Sequence, residues 1–350
     1  MRSIVLLGLM NKSTILMKKI TYPLYFLLVF LLLDWGVGFF YHRVLADKSN
    51  LRIKSTRYHH DLRPQFFGID NWGDFKQPYR TNSLGFRDRD TGTISLLTTS
   101  KKRFVFIGDS FTEGVGVSFD SSFVGRIAST WQSRNIEVLN AGVVTYSPRL
   151  YYLKMKEWIE NQHLSFDHLV VVLDNADIQD EIVYENWTPG FWHYSTSLSV
   201  YEKAQIRFNK IITPSISWDQ QDYYKERDKW LYEPALYHKW ASLGFSLALQ
   251  NIKKLQQLCL SNQRKLTLVI FPRPEQIRRG AISDSYVKAW TNFCKQEKIP
   301  LINLYGYFIE TDPAQAARVI RSYFIPGDVH WNDQGHQLVS NALLNELNIN

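Results

Sequence analysis

Short, largely apolar runs recur along this chain between longer stretches whose apolar residues step at helical spacing. Phe104 to Ile107, Ile136 to Leu139, Leu169 to Leu173, Leu266 to Phe271 and Leu301 to Leu304 are four to six residues each. They are too short for buried helices and lack the polar alternation of half-exposed strands. Runs of this kind belong to parallel strands covered on both faces. Between them Ser122 to Gln132 and Pro148 to Ile159 read as helices, and Leu338 to Leu347 as a final one. The alternation predicts an α/β fold, a three-layer α/β/α sandwich around a five-stranded parallel sheet of flavodoxin-like type.

Two segments interrupt this rhythm. Between the third and fourth strands lies an insertion, about 182–236, and Val183 to Trp240 carries Trp187, Trp192, Trp218, Trp230 and Trp240. So many aromatics serve either as the insertion's own packing or as a sugar-stacking or partner surface, and a segment this long needs a core. Leu236, Trp240, Leu243 and Leu247 step at helical spacing, so the excursion returns as an amphipathic helix. Ahead of the first strand, residues 42–102 are mixed and polar. Their most distinctive piece is Asn82 to Asp88, NSLGFRD, where Gly85 marks a turn and Arg87 beside Asp88 suggests a local ion pair. His59 and His60 are adjacent, not metal-spaced, and read as surface histidines.

At the amino end Ile20 to Tyr41 is 22 residues with one charge, long enough to cross a bilayer. Arg2, Lys12, Lys18 and Lys19 precede it without an acid, which predicts residues 1–19 in the cytoplasm, an uncleaved signal anchor over 20–41 and the remainder outside. A cleavable signal peptide, with Val44 and Ala46 near the cleavage position, is the rival reading. Asp34 is a cost within the span and a candidate contact for a membrane partner.

Composition adds little to this. The 350 residues are 45% hydrophobic with a formal charge of +8, yet the longest basic run is Lys101 to Arg103, so nucleic acid is not an expected partner. Cys259 and Cys294 fall on the helices flanking the fourth strand; outside the cytoplasm they are either a disulfide or two buried thiols. No cysteine and histidine grouping has zinc-site spacing.

Candidate chemistry sits at two places. The first strand stops at Gly108 and is followed by Asp109, Ser110 and a glycine-spaced polar segment, GDSFTEG, which puts Ser110 at the carboxyl end of a parallel strand, where α/β sheets bind ligands. The second is Gly327 to His336, GDVHWNDQGH, with Asp328 and His330 two apart. A serine hydroxyl needs an imidazole to take its proton and a carboxylate to fix the imidazole tautomer. Ser110, His330 and Asp328 supply these three parts, with His336 as the fallback base.

GDSFTEG, the Asn140 to Gly142 pair and the late D-x-H-x-N-x-x-G-H together resemble the SGNH/GDSL family of serine esterases and acyltransferases over Arg103 to Leu347. The pattern is not the G-x-S-x-G of the α/β-hydrolase elbow. The resemblance implies the same fold for 103–350, no cofactor and no metal. It makes Ser110 the nucleophile, His330 the base and Asp328 its orienter, with the Ser110 and Gly142 amides as oxyanion donors. Segments similar to NSLGFRD precede the GDS block in membrane-anchored relatives of the family; the membrane tether and the aromatic-rich insertion suggest an acylated cell-envelope glycan as substrate and a location at the inner membrane facing the periplasm.

Two departures stand out. The family's third oxyanion donor is an asparagine after the third strand, and here Asp174-Asn175-Ala176-Asp177 puts Ala176 at that place, leaving Asn175 as a displaced candidate. The usual D-x-x-H is shortened to D-x-H. Asp177, Asp180 and Glu181 nearby serve either to cap a helix or to orient a sugar hydroxyl.

Overall fold

The computed structural model describes residues 21–37, 51–72, 75–97, 101–189, 227–282, 284–309 and 315–347. The chain divides into two compact units, one of 1–50 with 191–218 and one of 51–190 with 219–350. In the first unit residues 21–37 are helical, and no described helix is long and apolar enough to cross a membrane. Most of the insertion, with Trp192 and Trp218, lies outside the described residues.

The second unit is built on five parallel strands, β5 (Lys102–Gly108), β6 (Ile136–Asn140), β7 (His168–Leu173), β8 (Lys265–Ile270) and β9 (Leu301–Asn303), in the spatial order β6-β5-β7-β8-β9. Each differs from its apolar run by at most two residues at an end. The central strand β7 is buried throughout, while the edge strands β6 and β9 are partly covered, which fits the unbroken Val and Leu of its run Leu169 to Leu173. The first crossover moves outward from β5 to β6 and the next returns to β7, so right-handed connections place their helices on opposite faces. Helices Phe123–Gln132, Ala316–Tyr323 and Asp333–Glu346 pack together, and Pro148–Lys156, Asp177–Tyr184 and Ser242–Ser261 form a second group.

The helix after the insertion differs in phase from the expectation. A wide turn at Tyr237–Ala241 precedes Ser242–Ser261, and its i→i+5 bonding rotates the face that follows. Trp240 is buried, but Leu243 is 47% exposed and the buried stripe runs through Gly244, Phe245, Ala248, Ile252 and Leu255. Trp230 and Trp240 pack on each other and Trp230 on Tyr286, so these two tryptophans are core. Cys259 and Cys294 are free, buried thiols that burial pushes up to about 12.

Before the sheet come two antiparallel hairpins, β1 (Arg52–Ser55) with β2 (His59–Leu62) and β3 (Phe67–Trp72) with β4 (Phe75–Arg80). The local Arg87–Asp88 pair does not form, because Asp88 accepts from Asn82 while Arg87, 1% exposed, donates to the carbonyls of Glu113, Gly114 and Val117. His59 and His60 are half-buried, not surface residues. His60 packs on Tyr146, its Nε2 lies 2.9 Å from Val144 O, and burial lowers it to about 4.

One buried ion pair ties the first hairpin to the helix Pro148–Lys156: Lys154 Nζ meets Asp61 Oδ1 at 2.7 Å with side chains 0% and 6% exposed. Removing one partner strands the other charge, whereas removing both does not. Lys154→Met is expected to cost about 3–5 kcal/mol in urea unfolding, and Lys154→Met with Asp61→Leu distinctly less. Equal losses for single and double variants would show that the pair is not the cause.

Candidate active site

β5 reaches its end at Gly108, where a Cβ would lie 2.1 Å from Thr112 Oγ1 and 2.7 Å from Val172 O, so only glycine lets the following turn close against β7. Asp109 then caps the short helix Ser110–Glu113, its Oδ1 accepting from Phe111 N at 3.0 Å. This stands Ser110 at the helix N-terminus, where first-turn amides have no intrahelical acceptor.

Ser110 Oγ is 2.7 Å from His330 Nε2, and His330 Nδ1 is 2.6 Å from Asp328 Oδ1. The three side chains therefore form one hydrogen-bonded line, with Ser110 and His330 only 7% and 8% exposed. The D-x-H spacing closes because Asp328 Oδ1 also accepts from Val329 N at 2.6 Å and His330 N at 3.1 Å, a side-chain turn that folds the imidazole back over its own carboxylate. Burial pushes the Asp328 carboxyl up, but the hydrogen bonds and charge of His330 and the bond from Trp72 outweigh it and hold it well below the usual carboxylate range. It is thus ionised whenever the imidazole must accept a proton. Phe111 and Trp72 rings stand 4.7 and 4.9 Å from the His330 ring.

His336 has a different place. It is 1% exposed, its Nδ1 accepts from Phe123 N at 3.2 Å, and its ring stacks on Phe123. Burial first, then the charge of Arg87, lowers it to about 3. It is a neutral acceptor at the start of a helix, far from the base role.

The oxyanion donors are arranged differently from the expectation. The Gly142 amide donates to Asn140 Oδ1 at 3.0 Å, and Asn140 Nδ2 to Thr112 O at 2.8 Å, so this amide is used within its own turn. A Cβ at Gly142 would meet Glu113 N at 2.6 Å, which is reason enough for glycine there. Asn175 is fully buried and its amide donates to Gln276 Oε1 at 2.9 Å, so it is not presented to the serine. One residue's displacement along the chain points the side chain to the other side of the loop. Asp177, Asp180 and Glu181 are 1–3% exposed and accept from Tyr151, Arg227 and Asn251 respectively. They hold helices together and cannot orient a sugar.

Beneath the serine, ligand oxygens of Asp109, Asp174 and Asp177 lie within 4.8 Å of one another. Arg273 grips Asp174 through both Nε and Nη2, and burial with mutual repulsion pushes Asp109 and Asp177 up. Ser110 Oγ is also 3.3 Å from Asp109 Oδ2. A cavity of about 1120 Å³ is lined by Asp328, Tyr232, Arg278, Arg321 and Phe324, but neither Ser110 nor His330 reaches its wall.

Sequence reasoning missed Trp72 and Glu113. Glu113, fully buried, accepts from Arg52, Tyr79 Oη at 2.9 Å and Val144 N at 2.8 Å. Trp72 Nε1 donates to Asp328 Oδ2 at 2.8 Å. Period-2 alternation reveals strands but not which distant loop a strand end meets, so no sequence signal named either contact.

No family model matches the chain, and no curated protein does. Among solved structures it is similar to a lipolytic protein of the G-D-S-L family from Desulfitobacterium hafniense, at 14% identity over 71% of this chain and 100% of that one, TM-score 0.41. An acetylxylan esterase from Geobacillus stearothermophilus aligns at 13% identity over 71% and 95%, TM-score 0.41. An acylhydrolase from Bacteroides fragilis aligns at 13% over 71% and 87%, TM-score 0.37. The likeness is distant, and the chemistry is read from the side chains.

Holding His336 neutral has a pH consequence. Its folded value, about 3, lies below the ordinary 6.5, so it contributes stability that is complete above pH 6.5 and is lost as pH falls toward 3. His336→Gln keeps an acceptor for Phe123 N and lacks the titration. The melting temperature of the variant should therefore fall less steeply than the parent's from pH 6.5 to 4, and parallel curves would contradict the assignment.

Proposed function

We propose that this chain is a membrane-anchored, extracytoplasmic serine esterase of SGNH/GDSL type acting on an O-acyl ester of a cell-envelope glycan. The observation that carries the chemistry is the continuous line from Ser110 Oγ through His330 to Asp328, with both hydrogen bonds at 2.6–2.7 Å. Ser110 Oγ adds to the ester carbonyl while His330 Nε2 takes its proton, and Asp328 stabilises the imidazolium. The C–O bond to the sugar then breaks, and His330 returns the proton to the departing hydroxyl. Water, or a second glycan hydroxyl in an acyltransferase, attacks the acyl-enzyme by the reverse route.

Negative charge on the carbonyl oxygen needs preorganised donors. The Ser110 amide at the helix start is placed for this, and the Gly142 amide serves once its bond to Asn140 Oδ1 opens. Absence of a side-chain donor at Ala176 corresponds to about 3 kcal/mol of lost transition-state stabilisation, which favours a slow or specialised enzyme. The same observation supports a second reading, a glycan-binding or assembly factor that kept the fold without turnover.

Location rests on the amino-terminal sequence. Residues 20–41 are the proposed anchor, with the basic residues before it inside and the catalytic unit outside. Reporter fusions after residue 60 should be active only in the periplasmic format; activity confined to the cytoplasmic format reverses the topology.

For the chemistry, the full-length protein in detergent should be labelled by a fluorophosphonate and should cleave a chromogenic acetyl ester. Ser110→Ala and His330→Ala should each lower turnover by about three orders of magnitude or more, because triad members act as a unit, while His336→Gln should not. A folded parent that neither labels nor turns over would favour the binding factor.

A further inference from the structure

The β3–β4 hairpin belongs to the lead-in, not to the sheet that carries the triad, yet its last paired residue reaches the triad carboxylate across 256 positions of sequence. Trp72 Nε1 donates to Asp328 Oδ2 at 2.8 Å, and the indole ring stands edge-on to the His330 ring at 4.9 Å and 82°. Asp328 Oδ1 is already occupied by His330 Nδ1 and by the amides of Val329 and His330. The second oxygen has no donor from its own loop, and with the Asp328 side chain 28% exposed water would otherwise compete for it. A carboxylate free to rotate about its Cβ–Cγ bond would spend time with neither oxygen facing His330 Nδ1, loosening its hold on the imidazole tautomer that the base needs. A tryptophan fits this place because its N–H only donates, so it selects the ionised carboxylate, while its ring covers the imidazole.

Tyr79, 1% exposed, buries the base of the hairpin, whereas Phe75 beside its turn is 47% exposed. Phe67 and Ile69 on it are 66% and 68% exposed, so they do not bury it against the unit. Its ties to the unit include Arg52 Nη1 with Asp70 at 3.3 Å, the Asp88 amide with Arg80 O at 3.1 Å, Arg87 over the Tyr79 ring, Tyr79 with Glu113, and Trp72 with Asp328.

We propose that Trp72 is a positioning residue of the triad: it locks the Asp328 carboxylate and thereby makes the reactivity of Ser110 depend on docking of the lead-in hairpin. This rests on the reading of Ser110, His330 and Asp328 as a triad. Loss of a hydrogen bond to a charged group corresponds to about a ten- to hundred-fold effect.

The test uses the full-length protein in detergent, as parent, Trp72→Phe and Trp72→Ala. Trp72→Phe keeps an aromatic ring beside His330 and removes only the N–H. Three readouts are taken: thermal melting, the rate of fluorophosphonate labelling at Ser110 with kcat and KM on an acetyl ester, and the proton resonance of His330 Nδ1, assigned by its loss in His330→Ala. Expected for Trp72→Phe are a melting temperature close to the parent's, labelling and kcat lower by about ten- to a hundred-fold at unchanged KM, and a displaced or exchange-broadened Nδ1 proton. Labelling at the parent rate overturns the proposal, as does a fall in rate with an unmoved resonance or one that only tracks lost folded protein. A parent without an observable Nδ1 proton at low temperature overturns it too. If the parent never labels but the resonance still responds to Trp72→Phe, the positioning role stands and the esterase reading falls.

Discussion

A buried guanidinium holds the backbone behind Ser110. Arg87 donates to Glu113 O at 2.6 Å and Val117 O at 2.5 Å, as well as to Gly114 O, and its own amide donates to Asn140 O at 3.1 Å. It therefore ties the turn after Ser110 to the end of β6. A charge taken out of water must be repaid by several good acceptors, and backbone carbonyls at a tight turn are acceptors that would themselves be unsatisfied. Each therefore needs the other. Glu113 repeats the device with opposite sign, its carboxylate collecting Arg52, Tyr79 and the Val144 amide. Between them the lead-in and the sheet become one mechanical body around GDSFTEG, and the serine is held by segments on both sides of it.

That rigidity explains the acid cluster underneath. Asp109, Asp174 and Asp177 would repel one another were all three ionised, yet Asp109 caps the nucleophile helix and Asp177 accepts from Tyr151. Burial raises two of them and Arg273 neutralises the third. The carboxyl groups then serve as hydrogen-bonding struts. Asp328, part-exposed and flanked by donors, is driven in the other direction, and this difference of environment separates the acid that contacts the imidazole from the acids that build the floor.

How much of this is legible in sequence follows from the range of the interactions. Apolar runs report burial on both faces, a local property, so β5 to β9 could be placed within a residue or two. Ser110, His330 and Asp328 were visible because strand ends and turn chemistry put them at one sheet edge. Asn175 as an oxyanion donor, and the Gly142 amide's bond to Asn140, turned on which partner a polar atom meets, and sequence does not show that. The phase of the helix Ser242–Ser261 was lost to a single extra residue in the wide turn before it. Trp72 and Arg87 act through contacts far along the chain, and no local pattern encodes a contact of that separation.

The two departures from the family pattern then have unequal weight. Shortening D-x-x-H to D-x-H costs little, because Asp328 Oδ1 accepts both following amides and the imidazole together, so the tighter turn is self-supporting. It also leaves Oδ2 outward, where a donor from another segment can take it, and Trp72 does. Loss of the side-chain donor at Ala176 has no such local repair: Asn175 is committed to Gln276, and Arg273, the nearest strong cation in the floor, is committed to Asp174. On the proposed triad reading, base and orienter are thus complete before substrate arrives, while the oxyanion side is completed only by the Ser110 amide and by whatever releases Gly142. Proton transfer is preorganised in this site and charge stabilisation is not, so substrate binding has to supply part of the latter.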